Sequence, residues 1–489
     1  MNTPNTDTDV LIVGAGPVGL FMANECARRG LRWRIVEARR GLSEHSKALA
    51  IFPRTLEVFD MAGIAEPFVE SANRVTSVRV MTHGRSLAHL PFRPEDSPYP
   101  FIAMVPQNLT EAHLADALTS RGGHIDFDTR FEHATQGTGM GMVHVQLKRH
   151  GEPEFVSTTY LVACDGAHST VRKDLGLPFR GGEYAEQFML ADIETDAPCP
   201  HDELLVCPHE DGPLAIFPMS ATHHRVVASV KQVDDEVPHL ALVQRLLNER
   251  APGGIRAAGL IWSSYFHIHH RRVPHLRQGN TFLAGDAAHI HSPFGGQGMN
   301  TGLQDAWNLV WKLDLTLKGH GTRALIDSYD EERTPVIRHV VGITDVLTRA
   351  MASTNPVVRG LRDRMIPLAA GRPGVQHAVV QQLSELGIDY HGSPIVTGDA
   401  PRYLDDSLRG GQGIVSRYLL LMGKDLSASL QLAARHMALA FKDVLEVRFG
   451  SQHGIALVRP DGYLAYQGHR GEGMSALEKI FSLLERQAH

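Results

Sequence analysis

A buried strand that runs straight into glycines leaves a chain few options, and this one has such a strand near its start. Asp9 to Val13 (DVLIV) is apolar on both faces, as a strand inside a parallel sheet must be, and Gly14-Ala15-Gly16-Pro17-Val18-Gly19 follows at once. Leu20, Ala23, Ala27 and Leu31 then recur at helical spacing, and a second strand, Trp33 to Val36, ends in Glu37. Glu37 follows Gly19 at roughly the 20-residue spacing that brings an acid to the adenosine ribose in a strand-helix-strand dinucleotide unit. A lone GxGxxG is weak. With a strand before it, a helix after it and the acid in place, it predicts a dinucleotide site built from Gly14, Gly16, Pro17, Gly19 and Glu37. An acid rather than an arginine at position 37 disfavours a ribose 2'-phosphate, so NADP is not the dinucleotide expected here.

Two further strand ends carry an acid beside glycine. Tyr160 to Cys164 (YLVAC) reads as a buried strand followed by Asp165-Gly166-Ala167-His168-Ser169 and a helix containing Arg172. Thr281 to Asn300 (TFLAGDAAHIHSPFGGQGMN) opens on the apolar residues Phe282, Leu283 and Ala284, stops at Gly285-Asp286, and passes glycines 295, 296 and 298 before an apolar helix predicted from Thr301 to about Lys318. Asp286 suits a chain of hydroxyls, and glycines without side chains let main-chain N–H groups approach a ligand. The helix would turn its positive end toward the same place.

Lesser candidates lie between these elements. Arg39 is placed to lie beside an adenine or a phosphate, and Ser46-Lys47 to reach a pyrophosphate or a ring system; solvated surface charge is the plain alternative for each. Gln107 stands where a strand gives way to a helix predicted from Thr110 to Ser120, with Asn108 or Thr110 as N-cap, and its amide suits a polyol. Tyr265, Phe266, His267, His269, His270 and Arg225 are candidates for handling a proton near a substrate, although with 28 histidines in the chain none is singled out.

At 489 residues the chain exceeds one hydrophobic core. The returns to strand-turn-helix at 160 and 281 divide it into a discontinuous nucleotide-binding domain (residues 1–184 and 276–370), a mostly antiparallel sheet domain inserted at 185–275 to cover a pocket, and, beyond the Gly/Pro boundary at 369–374, a small α/β domain at 395–489. The fold class is therefore α/β. A net charge of −6 argues against nucleic acid or an anionic membrane as partner. Four cysteines with no CxxC predict neither a disulfide framework nor a metal site. With no signal sequence or spanning segment read, the expectation is a cytoplasmic protein; the oligomeric state stays open, a homodimer included.

Taken together, GAGPVG with Glu37, CDGAHSTVR at 164–172, and LAGDAAH with PFGGQGMNTGLQDAWNLVWKL in the 281–318 segment resemble the single-component FAD-dependent aromatic hydroxylases of phenol and polyketide metabolism. The likeness covers residues 9 to about 345. It implies a Rossmann-like domain binding FAD, with Gly14, Gly16, Pro17, Gly19 and Glu37 on the ADP half, Asp165 and Gly166 near both FAD and a visiting NAD(P)H, and Asp286 on the ribityl chain. Pro293, Gly295, Gly298, Met299 and Asn300 would border the flavin ring, and Gln107 the sugar chain. The tail, around ALVRPDGYLAYQG at 456–468, resembles the thioredoxin-like domain of many such enzymes, but the last cysteine is Cys207, so redox chemistry is excluded there.

The resemblance implies NAD(P)H reducing the flavin, oxygen adding at C4a, and transfer of the distal oxygen of the hydroperoxyflavin to a phenolic ring. Epoxidation or Baeyer–Villiger insertion by the same flavin is the alternative, and a non-catalytic nucleotide-binding protein of the same fold a more distant one.

Overall fold

A computed structural model describes residues 8–44, 46–137, 141–196, 199–231, 236–292, 295–353, 355–404, 406–411, 417–450, 454–468 and 471–487. Its first sheet is built as the apolar runs require. Strands Thr281–Leu283, Glu152–Ala163, Thr8–Val13 and Trp33–Val36 lie side by side and parallel in that order. The hairpin Thr129–Gln136 and Val143–Arg149 pairs antiparallel to the outer half of Glu152–Ala163. The buried strand read from Tyr160 is thus the inner end of a longer one, Glu152–Ala163, apolar only where neighbours cover both faces.

Helix Gly298–Leu317 is the pivot of the molecule. It starts three residues before the predicted Thr301, at Gly298, and every residue from Met299 to Leu315 is buried. Trp307 packs near Phe21 of helix Pro17–Arg28, whereas Trp311, one turn on, meets Tyr418 of the C-terminal sheet at 5.7 Å between rings. At about 1.5–3 kcal/mol for each large apolar side chain removed from water, this helix supports two cores at once.

The second sheet has eight strands in the order His289–Ile290, Ala257–Arg272, Arg180–Thr195, His223–Val230, Leu214–Pro218, Glu203–Cys207, Ser77–Thr82 and Arg85–Pro91. It is wider than the 185–275 segment: residues 77–91 supply its far edge, Ser77–Thr82 pairing parallel with Glu203–Cys207. The alternating burial of Ser77–Thr82 is the period-two signature of a half-covered strand. Alternation gives the sheet two faces. Met189, Ala191, Ile193, Val226 and Ala228 pack beneath helix Leu240–Arg250, while Phe188, Leu190, Val227 and Ile268 look the other way.

Helices Arg323–Ala352, Pro356–Ala370 and Pro373–Ser384 lead to a four-stranded C-terminal sheet, ordered Leu445–Gly450, Tyr418–Gly423, Ile455–Val458, Leu464–Gln467, with helices Ala428–Ala440 and Met474–Gln487. A turn at Pro460-Asp461-Gly462 joins the last two strands. No helix of the described residues is long and apolar enough to cross a membrane.

Candidate functional site

Sheet register sets the site. Val36, Val13, Ala163 and Leu283 occupy one row of adjacent parallel strands, so the chain leaves the sheet at the same edge four times. Glu37, Gly14, Asp165 and Asp286 emerge from that edge in order, across a span of about 15 Å at about 4.8 Å per strand. The carboxyl edge of a parallel sheet is where open α/β folds bind ligands.

Gly14 has φ +102°, and a Cβ there would lie 2.4 Å from the Cys164 carbonyl oxygen; at Gly19 it would lie 1.9 Å from the Gly14 carbonyl oxygen. Both positions exclude a side chain because backbone meets backbone. Gly16 has nothing within 4 Å of its missing Cβ, so that side of the turn is open. The helix it introduces has Pro17 at its start and no side-chain cap, which leaves its first N–H groups free for an anion.

Glu37 accepts from the Ala15 N–H at 2.8 Å and from the Arg39 N–H and Nε, each at 3.0 Å. Burial opposes its charge, but these hydrogen bonds hold its carboxyl below the ordinary value. Arg39 is therefore paired with Glu37. Asp165 accepts from the Thr170 and Val171 N–H groups at 2.7 and 3.2 Å, so its carboxylate caps the short helix Thr170–Asp174; its Oδ1 is buried without a partner, and burial raises its pKa. Gly166, at φ +77°, makes the turn between them.

Asp286 differs from the other two. Its side chain is open to solvent, and it has no hydrogen-bond partner among the described residues. Its pKa is nevertheless raised by the protein around it, an effect offset by His289 and by the exposed Lys47. Asp286 is thus an accessible carboxylate whose charge the surrounding protein opposes.

The turn behind it is held rigidly by residues that sequence reasoning missed. Asp305 accepts from the Gly285 N–H at 3.1 Å, His289 Nε2 at 2.7 Å and Arg333 Nε at 2.8 Å, while Arg333 Nη2 donates to the Thr301 carbonyl. Arg172 donates to the carbonyls of Ala287 and Ala167, tying the Asp286 turn to the Asp165 turn. Asp305 and Arg333 lie among apolar helical positions, where an isolated charge at a period of 3.6 is the one available signal.

Pro293 lies outside the described residues. Gly295 packs against the Thr344 methyl, Gly298 opens the long helix beside His291, and Met299 is buried in its first turn. Asn300 is fully engaged by protein: its Oδ1 accepts from the Phe52 N–H at 2.9 Å, and its Nδ2 donates to the Ala50 and Gly296 carbonyls. Gln107 is the first residue of helix Gln107–Ser120, which starts earlier than predicted and has no side-chain cap. Its Oε1 accepts from the Ala48 N–H and its Nε2 donates to Glu111, so it anchors the 43–48 segment.

The proposed proton-handling cluster is divided by strand alternation. Tyr265 packs with the core under helix Leu240–Arg250, Phe266 lies on the opposite face 5.9 Å from Phe188, His267 is exposed, and His269 and His270 sit at the strand's far end. Arg225 is buried and locked to Asp192 through two bonds of 2.7 and 2.8 Å, with Nη1 donating to the Lys47 carbonyl. It joins the second sheet to the segment beside Asp286. The face it shares presents Phe217, Trp262 and Phe266, all half-buried, over Phe188, Leu190, Val227 and Ile268. Phe217 also reaches the cluster of Ala50 and Phe52, against which Gly296 packs, so the aromatic face is continuous with the glycine loop.

Residues 7–344 match the family model described as FAD binding domain. The chain belongs to the FAD-binding aromatic and polyketide monooxygenases. It is 33% identical to 6-methylpretetramide 4-monooxygenase of Streptomyces rimosus, over 94% of this chain and 91% of that protein. A flavin-dependent monooxygenase of Mycobacteroides abscessus is 32% identical over 94% of this chain and 97% of its own length. Among solved structures, the anhydrotetracycline hydroxylase OxyS of Streptomyces rimosus superposes with a TM-score of 0.80 at 29% identity, covering 97% of this chain and 98% of that one. The cofactor of this monooxygenase is FAD. The residues fit it: the open side of Gly16 and the uncapped helix suit a pyrophosphate, and the unpartnered Asp286 suits the hydroxyls of a ribityl chain.

The glycine-loop helix also holds an unusual acid. Glu385, at φ 59° after helix Pro373–Ser384, is buried against Gln304 and Thr301, and burial lifts its pKa to about 8. The folded state thus binds a proton that the unfolded chain has lost above its ordinary value of 4.5, so Glu385 lowers stability progressively as pH rises from 4.5 to about 8. Urea melts of Glu385→Gln are expected to show a shallower decline across that window than wild type; identical pH slopes would contradict the assignment.

Proposed function

We propose that this monooxygenase uses NAD(P)H and O2 to hydroxylate a phenolic or polyketide aromatic substrate bound between the Asp286 turn and the Phe217–Trp262–Phe266 face. That aromatic face, tied through Arg225 to Lys47 beside Asp286, is the observation that supports the reading most directly. Apolar rings of this kind bind flat aromatic molecules and exclude water. Bound FAD supplies hydride acceptance and oxygen activation, and the rest is the work of the chain. Asp286 accepts hydrogen bonds from the ribityl hydroxyls, and Glu37 from the adenosine ribose. The N-terminal turns of helices Pro17–Arg28 and Gly298–Leu317 turn their N–H groups toward negative charge. Arg225 and Asn300 fix the second sheet and the glycine loop at constant separation.

In this reading residues 1–184 and 276–370 form the FAD-binding unit, the sheet around 185–275 covers the substrate, and a thioredoxin-like unit at 395–489 buttresses the long helix. The named relatives act on 6-methylpretetramide and anhydrotetracycline, which makes fused-ring polyketides, together with simple phenols, the compounds to test first. With FAD-loaded protein, one of them should stimulate NADH or NADPH consumption and gain one oxygen atom from labelled O2. If no aromatic compound stimulates consumption, the reading fails; labelled oxygen found in an epoxide or a lactone would replace hydroxylation with the alternative chemistry.

A further inference from the structure

Arg272 ends strand Ala257–Arg272 and stands in register between Arg180 on one neighbouring strand and His289 on the other. His289 lies three residues beyond Asp286, so Arg272 adjoins the chain that leaves the flavin turn, with Arg180 one strand further out. Helix Arg323–Ala352 packs on strand Ala257–Arg272 and carries a third arginine, the exposed Arg338; burial and then the charges of Arg338 and Arg180 make the Arg272 guanidinium easier to deprotonate. Like charges on paired strands repel. Elsewhere in this protein arginines in such crowding find acids, as Arg333 finds Asp305 and Arg225 finds Asp192; the adjacent Arg271 lies 3.9 Å from Glu183. Among the described residues, Arg180, Arg272 and Arg338 have no hydrogen-bond or ion-pair partner.

Three unopposed cations leave room for a multiply charged anion. A phenol would neutralise none of them and a single carboxylate only one, whereas phosphate groups match the planar guanidinium fork and carry enough charge. We propose that Arg180, Arg272 and Arg338 hold the phosphate groups of the nicotinamide dinucleotide cosubstrate. The proposal rests on the NAD(P)H-dependent reading above. It explains how a second dinucleotide is held beside the flavin in a chain with one GxGxxG fingerprint: by side-chain charge at the mouth of the site, from which the nucleotide is free to leave.

The test uses full-length FAD-loaded protein, with NADH and NADPH oxidation measured in the presence of a stimulating aromatic compound. Arg272→Gln and Arg338→Gln are each expected to raise KM for the nicotinamide nucleotide about tenfold, the scale of one lost charge-assisted hydrogen bond, and the double variant further. Flavin content and KM for the aromatic compound should hold, and the added salt dependence of KM should flatten. Arg130→Gln, the same charge change on the exposed outer hairpin, should leave every constant as in wild type. Nucleotide KM values within twofold of wild type in both single variants would overturn the proposal. So would a rise confined to the aromatic compound's KM, which would make the bound anion the substrate's own. If dithionite reduces the wild-type flavin but neither nucleotide does, the NAD(P)H reading itself has failed, and the proposal falls with it.

Discussion

Gly14→Ala is expected to give a protein that no longer retains FAD through gel filtration. The new Cβ would lie 2.4 Å from the Cys164 carbonyl oxygen and 2.9 Å from the Asp165 Cα, against backbone that cannot swing aside as a side chain can. It would also occupy φ +102°, which L-residues rarely adopt. Relief requires the 14–19 turn to move off the end of strand Glu152–Ala163, separating Gly14 from Asp165 in the row that the ligand spans. A few kcal/mol of strain at that turn is about a hundredfold in affinity or more. Flavin absorbance per polypeptide after addition of FAD reads the effect, and stoichiometric retention would refute the account of the turn. Gly16→Ala is the informative companion. With nothing within 4 Å in the protein, it should fold normally and weaken FAD only through the ligand's own approach.

The second large effect lies far from the flavin. Lys312, Glu332, Arg459 and Asp461 are fully buried together, two cations with two anions. Glu332 accepts from Lys312 Nζ at 2.8 Å, from both terminal nitrogens of Arg459 and from Asn308 and Ser393; Arg459 also grips Asp461, whose carbonyl accepts from Trp307 Nε1 and Arg54. Burial opposes the Glu332 charge, but Arg459 and Lys312 hold its carboxyl far below the carboxylate range, and burial brings the Lys312 amine down to about 8. Glu332→Gln keeps the shape and removes one anion, leaving two buried cations against Asp461. The expected loss is about 3–5 kcal/mol in urea unfolding, the usual result of breaking a buried pair from one side. A loss below about 1 kcal/mol would mean that water already reaches the cluster.

Much of the site was legible because parallel strands announce their ends. A continuous apolar run that stops at glycine and an acid fixes both a strand's exit and the kind of group waiting there, and Glu37, Asp165 and Asp286 do emerge along one edge. What that pattern leaves open is where each carboxylate points. Asp165 accepts from two helix N–H groups, and Glu37 from Arg39, because partners only a few residues away reach a carboxylate first. Gln107 and Asn300 likewise have protein partners, which folding brings from as far as residue 52. The clamp of Asp305 with His289 and Arg333, and that of Arg225 with Asp192, depend on pairings across tens of residues that no local spacing encodes. The aromatic wall needed the sheet's register before Phe217, Trp262 and Phe266 could be assigned to one face.

Trp307 and Trp311 stand one turn apart on the same helix yet serve different cores, so the two ends of the chain share a single mechanical element. Ligand that steadies Gly298 and Met299 must also steady the strands packed on Trp311, since a helix buried on all sides does not loosen by halves. Addition of FAD should therefore slow proteolytic trimming of the last hundred residues.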